Sequence, residues 1–201
     1  MILSTITAYI SNKLLYRICD EIKQTNLNTI LIYTTIISSI SLIYYKYGIT
    51  SESINYMVLI PFIIIISIID YYTTYIYDIT ILSGIIIQGV IFIITITSES
   101  NYSSHIWALA IGFLVTYIIA KITKSLGSGD IGLFSLCCFA LGHNYSMYLI
   151  AISFILACIY IIYVFVIKSD KIRKIPFAPF ISLGTILIMI TNYDILNFIL
   201  T

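Results

Sequence analysis

The sequence predicts an all-α fold, a polytopic bundle of about eight transmembrane helices, and three observations support this prediction. Of the 201 residues, 60% are hydrophobic and only 9% are charged, whereas soluble domains are typically about 25% charged. The mean hydropathy is +1.06. Apolar tracts of about 20 residues, long enough to cross a bilayer as helices, recur along the chain. No stretch is polar enough to form a soluble domain, so we expect residues 1–201 to form a single integral-membrane domain.

Eight hydrophobic segments can be delimited along the chain. Helix is the expected conformation, because in lipid the backbone must satisfy its own hydrogen bonds. The segments also lack the alternating pattern of a β-barrel. The sixth segment is the weakest, since Gly142, His143 and Asn144 interrupt it. The predicted segments are 2–16, 29–45, 55–69, 79–97, 105–122, 131–146, 147–167 and 178–198.

The basic residues predict the orientation of the bundle. With eight spans, nine of the ten basic residues fall on one side, and only Lys46 falls on the other. Because basic loops remain cytoplasmic, both chain ends are predicted outside, and Asp70 and Asp130 are predicted at the cytoplasmic boundary. The residues predicted on the cytoplasmic side are Lys13, Arg17, Lys23, Lys121, Lys124, Lys168, Lys171, Arg173 and Lys174.

Asp70 closes the apolar run 57–69. An ionisable group at membrane depth is costly and by default marks a functional site. Asp70 also lies at a predicted helix carboxyl end, where the helix dipole disfavours a negative charge. A purely structural role therefore does not explain why an acid occupies this position.

Asp130 directly follows Gly127, Ser128 and Gly129 and precedes the apolar run 131–139. Glycine permits unusual dihedral angles and close approach of another backbone, so a peptide substrate is able to lie against this segment. The alternative is that Asp130 only caps the helix that follows.

If the two carboxyl groups face each other, they can act as the dyad of an aspartyl hydrolase. Two acids close together cannot both ionise cheaply, so one retains its proton. The ionised acid then deprotonates a water molecule while the other donates to the substrate carbonyl.

Asp78 lies eight residues after Asp70 and is expected to cap the helix that begins at residue 79.

Other chemistries find little support. There is no HExxH motif, and both His105 and His143 are predicted on the outer side, so a metalloprotease is disfavoured. No metal site and no cofactor is predicted. A net charge of +1 gives no support for nucleic-acid binding, and membrane lipid is the expected surrounding. Three of the four cysteines lie in apolar runs and are expected as buried small hydrophobic side chains: Cys137, Cys138 and Cys158.

Four motifs resemble those of the type IV prepilin peptidases, aspartic proteases of the bacterial inner membrane. Residues 127–133, Gly-Ser-Gly-Asp-Ile-Gly-Leu, resemble their GxGD motif. Asp70 and Asp78 match the spacing of the family's first aspartate motif. Residues 175–184 are similar to its terminal motif, and residues 11–18 resemble the end of its first helix. The four motifs occur in the family's order.

The resemblance implies a membrane aspartyl endopeptidase with Asp70 and Asp130 as catalytic residues. Its implied substrates are prepilins or pseudopilins of a type IV pilus or type II secretion system, whose short basic leader is cut at the cytoplasmic face of the membrane. For Pro176 and Pro179, the alternative is that they only end the loop and start the last helix. The residues expected to contact substrate are Gly127, Gly129, Asp78, Pro176 and Pro179.

The sequence departs from the family pattern at three places. Gly132 stands where many members carry lysine, and Tyr77 stands where proline is common. After Arg17, the cysteine-rich insert that bifunctional members use for N-methylation is replaced by a short segment with the single cysteine Cys19. We therefore expect peptidase activity without N-methyltransferase activity and without the zinc site of that insert.

Two other classes of protein stay open at this point. One is a non-catalytic family member that serves as a membrane scaffold for pilus or secretion assembly, although the presence of Asp70 and Asp130 argues against it. The other is a small proton-coupled transporter that uses its intramembrane acids as a relay. That class commonly shows internal repeats, and none is evident in this sequence.

Overall fold

The computed structural model describes residues 2–19, 25–95, 102–124, 126–168 and 175–191. These residues contain eight helices and no strand, which confirms the predicted all-α bundle. Five of the helices, α2 to α5 and α7, are long and apolar enough to cross a membrane. The protein is therefore a multi-pass membrane protein. The helices are α1 (Ile2–Ile18), α2 (Asn26–Tyr47), α3 (Ser51–Thr73), α4 (Asp78–Thr95), α5 (Tyr102–Thr123), α6 (Ser128–Leu141), α7 (His143–Lys168) and α8 (Ala178–Thr191).

The predicted boundary between the sixth and seventh segments, at residues 146 and 147, is wrong. The break lies at Gly142, whose φ of 86° and ψ of 167° fall in a region that is essentially restricted to glycine. Its N–H donates to the carbonyl of Cys138 and ends α6, so that α7 begins at His143. Hydropathy does not locate this break, because a backbone dihedral sets it.

Some of the predicted features lie outside the described residues. They are the end of the last segment, 192–198, most of the outer loop 98–104, and the basic residues Lys23, Lys171, Arg173 and Lys174. The predicted orientation in the membrane accordingly stays a prediction.

Helix α3 lies at the centre of the bundle. It packs against α1, α2, α4, α6 and α8. Within its apolar window 56% of the residues are buried, compared with 17% to 28% in the other four long helices. Those four helices expose large apolar side chains, among them Ile93, Trp107 and Phe165, as expected for surfaces that face lipid.

Helices α3 and α8 are joined by polar contacts between hydroxyl groups. The hydroxyl groups of Ser67 and Ser182 hydrogen-bond to each other, and one of them is the donor. Each also lies within hydrogen-bond distance of a backbone carbonyl of its own helix, Ile63 and Ala178 respectively, so the accepting hydroxyl can donate to its carbonyl. Small hydroxyl residues allow transmembrane helices to approach closely. This pairing places the amino end of α8 beside the carboxyl end of α3.

The cysteines follow the sequence expectation except at one position. Cys137 and Cys138 are fully buried in α6, as predicted. Cys158 is exposed on α7, so the prediction that it is buried is wrong. An apolar run in a membrane helix includes residues that face lipid as well as residues that face the bundle, and hydropathy does not distinguish them.

We predict that Gly142→Ala destabilises the fold. An alanine would have to adopt the glycine-only dihedrals, and its Cβ would lie 3.3 Å from Oγ of Ser104. The expected loss in the free energy of unfolding is about 1–3 kcal/mol. Thermal unfolding in detergent measures it.

The matched control is Gly89→Ala, in the middle of α4, where an added Cβ meets no atom within 4 Å. That change should leave stability equal or raise it by about 0.5–1 kcal/mol. Equal effects of the two substitutions would contradict the role assigned to Gly142.

Candidate active site

Three helix ends meet at one end of the bundle: the carboxyl end of α3 and the amino ends of α6 and α8. The carboxylate of Asp70, in the last turn of α3, accepts a hydrogen bond from the backbone N–H of Ala178, the first residue of α8, at 2.9 Å. In the loop between α3 and α4, Ile76 lies against Gly129 in the first turn of α6. These contacts bring Asp70, Asp130 and the terminal motif to one place.

Asp70 is buried, with 5% of its surface exposed. The dipole of its own helix disfavours a charge at this position. Its carboxylate is directed instead at the amino end of α8, where unpaired N–H groups and the positive end of a helix dipole favour an anion. A second helix therefore offsets the unfavourable placement that the sequence indicated.

Asp130 is partly buried and is the third residue of α6. Its Oδ2 accepts a hydrogen bond from the N–H of Gly127, at 3.1 Å. This is one half of a capping box, and glycine has no side chain to form the other half. The capping role that the sequence offered as an alternative is therefore present in the structure, and it engages only Oδ2.

The environment raises the pKa of Asp130, which precedes the apolar run of α6 and lies outside the five long apolar helices. Burial is the largest cause of the raised pKa, and the negative charge of Asp70 is the second. The hydrogen bond from the N–H of Gly127 lowers the pKa, and the net result is a pKa of about 6 for Asp130. The two carboxyl groups are thus close enough for the charge of one to affect the ionisation of the other.

The two glycines of the GxGD segment have different surroundings. Gly127 has an ordinary extended backbone, with φ of −75°, so it does not use the unusual dihedral angles that glycine permits. Its surface is exposed. At Gly129 a Cβ would lie 2.7 Å from Cβ of Ile76, so the missing side chain makes room for the protein's own loop. A role of either glycine in substrate binding stays a prediction.

The remaining predicted contact residues surround the same helix ends. Asp78 is exposed, and α4 begins at Asp78 itself and not at residue 79. Asp78 is therefore the first helical residue, one position after the N-cap position that the sequence predicted for it. Pro176 is in the segment before α8, and Pro179 is the second residue of α8. Gly132, where many family members carry lysine, is packed against Ile81 of α4.

A cavity of about 550 Å³ lies beside Asp70, between α2, α3 and α8. Its walls are apolar apart from a few small hydroxyl side chains, and Tyr71 and Pro179 place one end of it next to the Asp70–Ala178 contact. The lining includes Leu31, Ile32, Thr35, Ser38, Ile64, Ser67, Ile68, Ser182 and Ile186. Among the described residues, no three His, Cys, Asp or Glu side chains are grouped to bind a metal ion.

Sequence reasoning missed the N–H of Ala178. The segment Pro-Phe-Ala-Pro before an apolar run indicates a helix start, but nothing in the sequence shows which acid the new helix faces. It also missed Phe177, whose ring lies 5.1 Å from that of Phe154 and 6.1 Å from that of Phe134. These rings fix the segment that presents Ala178 to Asp70.

The fold and the site define the class of this protein as a multi-pass helical membrane protein with a pair of acidic side chains at one end of the bundle. The sequence pattern of the type IV leader peptidase family matches residues 57–162. The match covers more than half of the chain and includes Asp70, Asp78 and Asp130. The chain belongs to the type IV leader peptidase family. No curated protein and no solved structure matches it.

We predict that Ala178→Pro destabilises the protein by removing the hydrogen bond to Asp70. Proline fits the first residue of a helix but has no N–H, so the buried carboxylate would lose a donor. The expected loss is about 1–3 kcal/mol in the free energy of unfolding. Chemical unfolding in detergent measures it.

Ala178→Val is the matched control, because it adds bulk at the same buried position and keeps the N–H. Its effect reports overpacking alone. If the proline and valine variants lose equal stability, the hydrogen bond to Asp70 contributes nothing measurable.

We predict that Asp130 makes stability depend on pH between about 4 and 6. Its pKa in the folded protein, about 6, is above the ordinary 3.8. The contribution of this group is therefore fully present below about pH 4 and is lost as the pH rises through about 6. Thermal unfolding from about pH 4 to 8 should show wild type losing stability relative to Asp130→Asn over this window.

Asp70→Asn provides the test of the coupling. Without the charge of Asp70 the pKa of Asp130 should fall, and the window should move to lower pH. A difference between wild type and Asp130→Asn that does not vary with pH would contradict the raised pKa.

Proposed function

We propose that this protein is an aspartyl endopeptidase that removes the short basic leader of type IV prepilins or pseudopilins, with Asp70 and Asp130 as its catalytic dyad. Membership of the leader peptidase family supports the peptidase class. The observation that carries the choice of residues is that two acids of the matched region meet at one end of the bundle, where the charge of Asp70 acts on Asp130.

The proposed chemistry follows from two carboxyl groups that share one proton. The ionised member removes a proton from a water molecule, which attacks the scissile carbonyl, and the protonated member donates to the carbonyl oxygen. The pair behaves as one titrating unit. The hydrogen bond from Ala178 fixes the orientation of the Asp70 carboxylate, and the one from Gly127 fixes that of Asp130.

The surroundings of the dyad support a substrate with a basic leader followed by an apolar helix. Asp78 is exposed at the start of α4, where it attracts a basic leader. The apolar cavity between α2, α3 and α8 is lined by Tyr71, next to Asp70 in the chain, and is suited to the hydrophobic segment of the substrate. Gly127 leaves the approach to Asp130 open.

The proposal includes the membrane and the side on which the reaction occurs. The distribution of basic residues supports a bacterial inner membrane protein with the dyad at the cytoplasmic face, which is where the leader of a prepilin lies before cleavage. The short segment after Arg17 supports peptidase activity without N-methylation.

Cleavage of a purified prepilin by the detergent-solubilised protein tests the proposal. Asp70→Asn and Asp130→Asn should each lower kcat by about 10³-fold or more, because either change removes a member of the proton-sharing pair. Equal thermal stability and elution volume would show that both variants fold. Full activity in either folded variant would reject the dyad.

Asp78→Asn is the graded comparison. We expect it to raise KM for a prepilin with a basic leader and to leave kcat close to wild type, because the exposed carboxylate acts only in binding. A prepilin whose leader lysines and arginines are replaced by glutamine should show no such difference between wild type and Asp78→Asn.

A further inference from the structure

A second cavity, of about 350 Å³, lies at the opposite end of the bundle. We refer to it as the distal cavity. It forms where α6 stops at Gly142, beside the amino ends of α3 and α5, and Glu52 in its wall lies about 27 Å along α3 from Asp70. Its wall is predominantly polar, and the lining includes Ser51, Glu52, Asn55, Tyr56, Phe92, Thr95, Ser104, His105 and Tyr145.

Asn55 presents an unsatisfied oxygen in the wall of this cavity. Only 7% of the residue is exposed. Its Nδ2 donates to Oγ1 of Thr95 at 3.4 Å, but its buried Oδ1 has no hydrogen-bond partner among the residues that the structure describes. A buried oxygen without a donor costs about 1–3 kcal/mol, so this position favours a ligand that supplies an N–H or O–H group.

Gln88 adds a second oxygen of the same kind next to Asn55. It is 2% exposed, and its Nε2 donates to the backbone carbonyl of Asn55 at 3.1 Å. Its Oε1 also lacks a partner within the described part of the chain. The two unsatisfied atoms, Oδ1 of Asn55 and Oε1 of Gln88, are both hydrogen-bond acceptors. What this part of the protein lacks is therefore hydrogen-bond donors.

His105 and Glu52 extend the set of acceptors. Nδ1 of His105 lies 2.8 Å from the carbonyl oxygen of Phe139, and since a carbonyl only accepts, Nδ1 carries the proton. In the neutral imidazole Nε2 is therefore an acceptor. Glu52 contributes a carboxylate, and none of the described residues that line the cavity is a lysine or an arginine. The site is consequently suited to a cation and unsuited to an anion.

Aromatic rings complete the wall. Phe92 packs on His105 with ring centroids 4.6 Å apart, and Tyr56 and Tyr145 line the same space. The faces of such rings attract ammonium groups. A primary ammonium combines this attraction with three N–H donors, which the oxygens of Asn55 and Glu52 can accept.

We propose that the distal cavity is a binding site for a ligand that carries a primary ammonium group, held by Asn55, Glu52 and His105. This site is separate from the proposed peptidase dyad and does not depend on it. Under the predicted topology it opens to the side of the membrane opposite the dyad. The ammonium comes from a free amine or from the headgroup of phosphatidylethanolamine.

Isothermal titration of the purified protein in phosphatidylcholine nanodiscs tests this site, with ethanolamine as the probe. Wild type should bind ethanolamine with Kd in the millimolar range or tighter. Tetramethylammonium, which has no N–H donor, should not bind. Asn55→Leu and Glu52→Gln should each weaken ethanolamine binding by about tenfold or more.

Asn12→Leu is the matched control. Asn12 is 8% exposed and also has an Oδ1 without a partner, but it does not line the distal cavity. This variant should bind ethanolamine as wild type does. Because Glu52 is exposed, Glu52→Gln is expected to fold even if Asn55→Leu does not.

Four results would overturn the proposal: no binding of ethanolamine by wild type, equal binding by wild type and the folded Asn55 and Glu52 variants, binding of zinc chloride in place of ethanolamine, or an experimental structure in which only ordered water satisfies Asn55. Repeating the titration in phosphatidylethanolamine nanodiscs distinguishes the sources. Loss of ethanolamine binding there assigns the lipid headgroup, and retained binding assigns a free amine.

Discussion

The hydrogen bond from the N–H of Ala178 to the carboxylate of Asp70 is the interaction on which the organisation of this end of the bundle depends. A buried acid in the last turn of a helix is unfavourable unless another group compensates it. Here the amino end of α8 compensates it, and the hydroxyl pair of Ser67 and Ser182 holds the two helices in place. The region matched by the family, 57–162, therefore receives an essential contact from outside its own bounds.

Asp130 combines a capping role with a perturbed ionisation in one carboxyl group. Its Oδ2 caps α6 through Gly127, which fixes the side chain, while burial and the charge of Asp70 raise its pKa. The cap and the perturbed ionisation have the same origin, which is the placement of an acid in the first turn of a helix packed against α3. The sequence offered a helix cap as the alternative to a catalytic role for Asp130. In the structure the cap is present, and it does not exclude the catalytic role, which stays a prediction.

Composition was sufficient to predict the all-α bundle and the number of helices, because the cost of unpaired backbone in lipid leaves few other options. The cost of a charge at membrane depth indicated Asp70 and Asp130 as candidate site residues, and their role stays a prediction. The sequence indicated an interruption at Gly142 but placed the segment boundary at residues 146 and 147, because a dihedral angle and not hydropathy determines the break. The pairing of Gly129 with Ile76, the donor at Ala178 and the exposed face of Cys158 depend on neighbours distant in sequence, which hydropathy does not identify.

The contact between Asp70 and Ala178 joins residues 108 positions apart in the chain. At a translation rate of about 5–20 residues per second, the ribosome needs about 5–20 s to synthesise the intervening stretch. Asp130 is made partway through that interval, and both aspartates are complete before the helix that orients Asp70 is made. A nascent chain thus lacks the backbone donor for the Asp70 carboxylate until its last described helix has been made, and a product that stops before α8 never acquires it.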